Sequence, residues 1–189
     1  VSLGTICDVV PLVGLNRAIV KQGLKIINLK KNLGLKTLID LCKIDSKTST
    51  YHLGYVIGPR INAGGRVGKC SHGANLLLNS NPKESFKIAT ELDQFNSERK
   101  NLEKDLLNVV LNTLNKNIND PVLVLHGHNW HEGIIGIIAS RIKDKFNKPT
   151  IIISINNNVG KASARSILGF DIGSMILAAL EKKILIKGG

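Results

Sequence analysis

The chain is poor in aromatic rings, in sulfur and in acid. Phe, Trp and Tyr make up 4% of its 189 residues, with one Trp and two Tyr. A broad base-stacking platform is therefore excluded within this stretch, although one or two rings suffice for local stacking. Cys7, Cys42 and Cys70 are odd in number, far apart and without a CxxC pair. That argues against a disulfide framework or a cysteine zinc site and fits free thiols in a reducing cytoplasm. No apolar run approaches the roughly 18 residues of a membrane-spanning helix. No secretory signal opens the chain, so a soluble, cytoplasmic, globular protein without a membrane partner is expected. There is no internal repeat, and low complexity is confined to Asn156-Asn157-Asn158. The chain opens at Val1 without an initiator Met, and Met175 is its only methionine. These features lead us to expect a fragment.

What is abundant is positive charge. Lys and Arg number 26 against 14 Asp and Glu, a formal net charge of +12 and a pI near 9.8. Such a balance favours a polyanion such as nucleic acid. Lysine also coats ordinary solvated surface, so charge alone leaves both readings open. An apolar fraction of 43% is enough for the core of one domain or two small ones.

The apolar pattern divides the chain in three. Residues 1–80 alternate short apolar runs with Gly, Asn and Pro, and read as short helices and loops at the end of a larger α/β domain. Asn81-Pro82-Lys83-Glu84 is a helix start, with Asn as cap, Pro at the first helical position and Glu three residues after the cap. Phe86, Ala89, Leu92, Phe95, Leu102, Leu106, Val109 or Val110, and Leu114 then recur at helical spacing. A helix over residues 81–118, at 1.5 Å per residue, would be more than about 45 Å long and would bridge two domains. From Pro121 the pattern becomes strand, helix, strand: residues 122–125, 132–146 and 149–153, a βαβ unit. A last helix is expected from Asp171 as cap to about Lys182, with Ile172, Met175, Ile176, Ala179 and Leu180 on its inner face.

In open α/β sheets, ligands bind beyond the carboxyl ends of the strands, beside helix N-termini. Two polar stretches occupy such ends. The first, His126-Gly-His128-Asn-Trp130-His131-Glu132-Gly133, is expected as a loop between strand and helix. The second, residues 156–166, carries Lys161, Ser163, Arg165 and Ser166 and is expected as a loop beside it. Together they offer imidazole, ammonium, guanidinium, hydroxyls and free N–H groups, a set suited to phosphate. A plain solvated loop or a zinc site on the three histidines are the competing readings. Trp130 reads as a packing residue.

Two further features stand upstream. Asp8 is a lone carboxylate in an apolar run, and if buried it needs a metal, a cation or backbone N–H groups; a turn cap before Val9 is the alternative. Gly58-Pro-Arg60-Ile-Asn62-Ala-Gly64-Gly65-Arg66 reads as a glycine-rich loop whose arginines could fork onto phosphate, or as a structural loop with surface arginines.

Taken in order, these pieces resemble the RecJ nucleases of the DHH phosphoesterase family. Leu3-Gly-Thr-Ile-Cys-Asp8-Val-Val-Pro-Leu12 with Asn16-Arg17 resembles the fourth DHH motif, and Leu53 to Arg66 resembles the RecJ loop after it. Leu92-Asp-Gln-Phe-Asn96-Ser-Glu-Arg99-Lys resembles the connecting helix. Trp130-His131-Glu-Gly133-Ile-Ile-Gly136 through Arg141, and Lys161-Ala-Ser163-Ala-Arg165-Ser166, resemble the two signatures of the DHH-associated domain.

The resemblance implies an α/β fold in three parts: the end of a DHH phosphoesterase domain (1–80), a long connecting helix (81–118), and a smaller βαβ-containing DHH-associated domain (119–189). It implies a 5′ to 3′ exonuclease of recombination and repair, acting on single-stranded DNA with two divalent ions, Mn²⁺ or Mg²⁺. Asp8 would be the catalytic metal ligand. Arg60, Asn62 and Arg66 would line the DNA path, and His131, Lys161, Ser163, Arg165 and Ser166 would hold backbone phosphates. Helicase and single-strand-binding protein are the implied protein partners, and the chain is expected as a monomer. Where the family has Lys-Gly-Ser-Gly-Arg-Ser, this sequence has Ala162 and Ala164, a hindrance if those positions need positive φ. The family's upstream Asp and Asp-His-His motifs are absent, and the chain stops at Gly188-Gly189 where the family continues. Most metal ligands are therefore expected elsewhere, and the 189 residues are expected to be inactive alone. Two rivals remain: a catalytically inactive single-strand-binding remnant, and an oligonucleotide or cyclic-dinucleotide phosphodiesterase.

Overall fold

The computed structural model describes residues 1–114 and 119–189, which divide into two compact units, Val1–Arg99 and Lys100–Gly189. The first is all helical: α1 (Ser2–Cys7), α2 (Gly14–Asn28), α3 (Leu33–Leu41), a π-helical turn (His52–Ile57), α4 (Gly58–Val67), α5 (His72–Leu78) and the start of α6 (Pro82–Leu114). Leu38, Ile39, Leu53, Ile57, Leu76 and Leu92 are fully buried and form its core, each side chain contributing roughly 1.5–3 kcal/mol on burial. Helix α3 starts at Asn32, whose side chain accepts from the Leu35 N–H at 2.8 Å. Helix α6 starts as its sequence requires, with Asn81 Oδ1 accepting from Lys83 N and Glu84 N.

The glycine-rich stretch is helix, not loop. Gly54, Gly58, Gly64, Gly65 and Gly68 all have negative φ, and their missing Cβ atoms serve close packing. A Cβ on Gly58 would stand 2.4 Å from Cys7 Sγ, and one on Gly68 would enter the Phe95 ring at 2.5 Å. Glycine read as punctuation is here a set of contact points. On α6 the apolar stripe is narrower than the spacing predicts, because Phe86 is 62% exposed while Val110, not Val109, is buried. The expected extension to residue 118 lies outside the described residues.

The second unit contains the rest of α6, β1 (Leu123–His128), α7 (Glu132–Phe146), β2 (Thr150–Asn156), β3 (Val159–Arg165) and α8 (Ile172–Glu181). The sheet order is β1-β2-β3. β1 and β2 run parallel from Leu123↔Thr150 to His128↔Ile155, as expected of a βαβ unit. β3 returns antiparallel, from Asn156↔Val159 to Thr150↔Arg165. The expected second loop is thus a hairpin. Asn157 and Asn158 both take positive φ, 49° and 59°, the pattern of a two-residue I′ turn, for which Asn is favoured. Ile134, Ile135, Ile138, Ala139 and Ile142 of α7 are buried with Leu123, Leu125 and Ile152 of the sheet. Helix α8 keeps the predicted Asp171 cap, but none of its residues is buried, and Met175 of its expected inner face is 56% exposed.

Candidate nucleic-acid interface

β3 alternates small and functional side chains, and that alternation builds the site. In a strand successive side chains take opposite faces, so Lys161, Ser163 and Arg165 share one face while Gly160, Ala162 and Ala164 take the other. Their face is the one toward α7: a Cβ on Gly136 would lie 2.9 Å from Ser163 Oγ and 3.2 Å from Arg165 Nη2. Gly136 therefore makes the room that lets the serine and the guanidinium lie against the helix. Lys161 Nζ donates to Glu132 Oε2 at 2.8 Å, and Asn156 Nδ2 donates to Glu132 Oε1 at 3.3 Å. The hydrogen bond from Lys161 is the largest influence holding the exposed Glu132 carboxyl below its ordinary range.

The N-terminus of α7 completes this face. His131 is its cap, with Nδ1 accepting from the Gly133 N–H at 3.2 Å. Ser154 Oγ, fully buried on β2, donates to the Trp130 carbonyl at 2.6 Å and so ties the loop to the sheet. Trp130 lies against Gly127, where a Cβ would be 2.2 Å from the indole; it packs, as the sequence suggests. A cluster of ammonium, guanidinium, hydroxyl and helix N-terminus is an anion-binding chemistry.

Other residues of the expected set lie apart from this face. His126 and His128 belong to β1 itself, on the face opposite Leu123 and Leu125, and are exposed. The three histidines do not converge, because the strand runs further than the apolar run that signalled it. Ser166 lies past the end of β3, and its hydroxyl donates to the Phe170 carbonyl, closing the loop to α8. Ala162 and Ala164 have ordinary strand backbone without positive φ, so alanine in place of glycine imposes no strain there.

In the first unit, Asp8 is exposed at the C-terminal cap of α1 and followed by Val9 at φ 54°. Of the two sequence readings, the turn before Val9 fits this position and the buried carboxylate does not, because the six-residue helix ends at the surface. Cys7 packs inward, its thiol donating to the Leu53 carbonyl at 3.8 Å; burial pushes its pKa up, and Asp8 adds to that. Arg60 is 18% exposed and bound, with Nε 2.7 Å from Asp93 Oδ1 and Nη1 donating to the Val56 carbonyl at 2.8 Å. Asn62 and Arg66, four residues apart on α4, share an exposed face. A carboxylate suits a hard divalent cation, but among the described residues no three His, Cys, Asp or Glu side chains converge to hold one. These residues do not by themselves make a metal centre.

Known proteins carry the same architecture. The DHHA1 domain family matches residues 119–189, the part that contains the sheet, α7 and α8. The single-stranded-DNA-specific exonuclease RecJ of Escherichia coli is 38% identical over the whole chain, and that of Bacillus subtilis is 33% identical over 90% of it. Thermus thermophilus RecJ, in a crystal structure with Mg²⁺, covers the whole chain at 31% identity and a TM-score of 0.88; a RecJ structure bound to manganese gives 0.83. The chain resembles RecJ from end to end, and its residues 119–189 match the DHHA1 domain family. It spans 34% of the E. coli protein's length and 22% of the B. subtilis protein's. The α/β architecture expected from the motifs, a long helix followed by a small sheet with helices, is the one observed, and it matches RecJ.

Sequence reasoning missed Glu132 as the partner of Lys161 and Gly136 as the space for Ser163 and Arg165. The first was hidden because the two residues are 29 apart; the second shows only as a glycine inside a helix, which costs stability unless it serves a contact.

Proposed function

We propose that this chain is part of a metal-dependent exonuclease that digests single-stranded DNA in the 5′ to 3′ direction. In this reading residues 1–80 belong to its catalytic domain, 81–118 connect, and 119–189 hold the substrate. The observation that carries it is the common face of Lys161, Ser163 and Arg165 beside the His131-capped start of α7. A backbone phosphate there would draw Lys161 from Glu132, take the Arg165 fork, and accept from the Ser163 hydroxyl. His131 flanks that path, and Ser166, just past the end of β3, would have to release the Phe170 carbonyl to reach a phosphate. Asn62 and Arg66 would contact the strand along α4, with Arg60 held in place by Asp93. Asp8 would give one oxygen ligand to Mn²⁺ or Mg²⁺, the others coming from the length of the RecJ relatives that this chain does not span.

A second reading, a binding module without catalysis, is favoured by the lone carboxylate at Asp8. Fluorescence anisotropy with single-stranded DNA over a salt series tests the binding common to both. We expect weak binding that falls with salt, diminished by Arg165→Ala. Incubation with Mn²⁺ tests the catalytic step: the 189 residues alone should leave the strand intact, and cleavage abolished by Asp8→Ala would show that they complete a centre themselves. Absence of salt-dependent binding would overturn both readings.

A further inference from the structure

Tyr51 and Tyr55 are 62% and 74% exposed, in a chain with few rings to spare. They lie against each other, ring centroids 5.3 Å apart and planes inclined by 32°. Both are set by the π-helical turn His52–Ile57, which Tyr51 caps. Such turns are rare and occur often at functional positions. Residues four apart on a helix lie side by side, which gives two adjoining ring faces in solvent. The core does not need them: Leu53 and Ile57 of the same turn are fully buried and supply it.

The two rings wall a groove of about 310 Å³ together with Cys7, Val9, Thr50 and Gly54. Two of these lining residues, Cys7 and Val9, are the chain neighbours of Asp8. Packing of Cys7 against Gly58, where even a Cβ would be too large, fixes α1 to the helix that carries the rings. The groove itself is lined by uncharged residues, while Val1–Arg99 as a whole holds 14 Lys and Arg against 7 Asp and Glu, a balance that draws a polyanion to this unit.

We infer that Tyr51 and Tyr55 form a stacking site for a nucleobase of single-stranded nucleic acid, seating the strand beside Asp8. The inference rests on the single-strand-binding reading above and adds to it a contact to bases, which the phosphate-directed groups of β3 and α7 do not supply. Stacking on exposed rings is tolerant of sequence and is worth roughly 1–3 kcal/mol per base.

The test compares the affinity of the 189-residue chain for an oligothymidylate and for an abasic strand of equal length and charge. We expect the base-bearing strand to bind about tenfold tighter. Joint Tyr51→Ala and Tyr55→Ala substitution should bring that ratio close to one, whereas Tyr51→Phe with Tyr55→Phe should keep it. Arg165→Ala should weaken both strands and leave the ratio unchanged. A ratio of one in the unaltered chain overturns the stacking site alone, and this comparison needs no variant to fold. An unchanged ratio in the double alanine variant does the same. Failure of both strands to bind removes the single-strand reading and the stacking site with it.

Discussion

Glu132 and Lys161 meet at 2.8 Å between the first turn of α7 and the middle of β3, with Asn156 on the other carboxylate oxygen. The pair is exposed, so it adds little to stability. Its consequence is for binding, since an arriving phosphate competes with the carboxylate for the ammonium. Glu132→Gln should therefore tighten single-stranded DNA a few-fold, and Lys161→Ala should weaken it. If Lys161 neutralises one phosphate, its loss should also make the slope of log K against log salt shallower by about 0.7. Anisotropy titrations at several salt concentrations read both quantities.

The same contact predicts a pH response. Glu132 is held below its ordinary value of 4.5, first by the Lys161 hydrogen bond and then, against desolvation that raises it, by the Asn156 hydrogen bond and by the charges of Lys161 and His131. A depressed carboxylate contributes stabilisation that is full above the ordinary value and lost as pH falls through the depressed one. Titration of the Glu132 carboxyl carbon by NMR should give a midpoint below 4.5 in the unaltered chain, moving up toward 4.5 in Lys161→Ala. An unmoved midpoint would mean that the contact is not held in solution.

The elements that signalled themselves in the sequence are those whose signal is local. The start of α6 at Asn81 and Pro82, α7 over residues 132–146 and the Asp171 cap were all legible, because capping and helical periodicity act within a few residues. Glycines 54–68 were not, because the reason for each lies in a distant partner such as Cys7 or Phe95. β3 was hidden because its polar, small residues lack the apolar alternation of a buried strand, and the Asn157-Asn158 turn before it stood in the sequence only as a short asparagine run. At the interface the side chains could be named, yet their sorting onto faces could not. That depended on residues 159–165 being a strand, whose alternation puts Lys161, Ser163 and Arg165 on one face, and on β1 running on to His128, which puts His126 and His128 on the strand itself.

Glu103 is 8% exposed although it sits among charged residues of α6 that the periodicity assigns to the outer side. Its Oε1 accepts from Arg141 Nε at 3.0 Å and Nη2 at 2.9 Å, while the Arg141 side chain is 63% exposed. This asymmetry sets unequal costs for the two deletions. Arg141→Ala leaves a buried carboxylate without its guanidinium and should cost about 2 kcal/mol. Glu103→Gln keeps the shape and leaves the arginine facing water, and should cost less. Urea denaturation of the two variants reads the order, and equal costs would contradict it.

Helix α4 offers the sharpest check on the correction from loop to helix. Gly58 and Gly65 stand on the same helix with negative φ, but their surroundings differ. A Cβ on Gly65 would meet only Cys70 Sγ, at 4.0 Å, whereas on Gly58 it would stand 2.4 Å from Cys7 Sγ and 2.7 Å from the Leu53 carbonyl. In a helix interior alanine is favoured over glycine by up to about 1 kcal/mol, so Gly65→Ala should stabilise the chain. Gly58→Ala must push α1 away from the π-helical turn and should destabilise by about 1–3 kcal/mol. Midpoints of urea unfolding at unchanged slope separate the two signs. If this stretch were instead a loop with glycines in left-handed conformations, Gly65→Ala would lower stability too, because alanine is strained at positive φ.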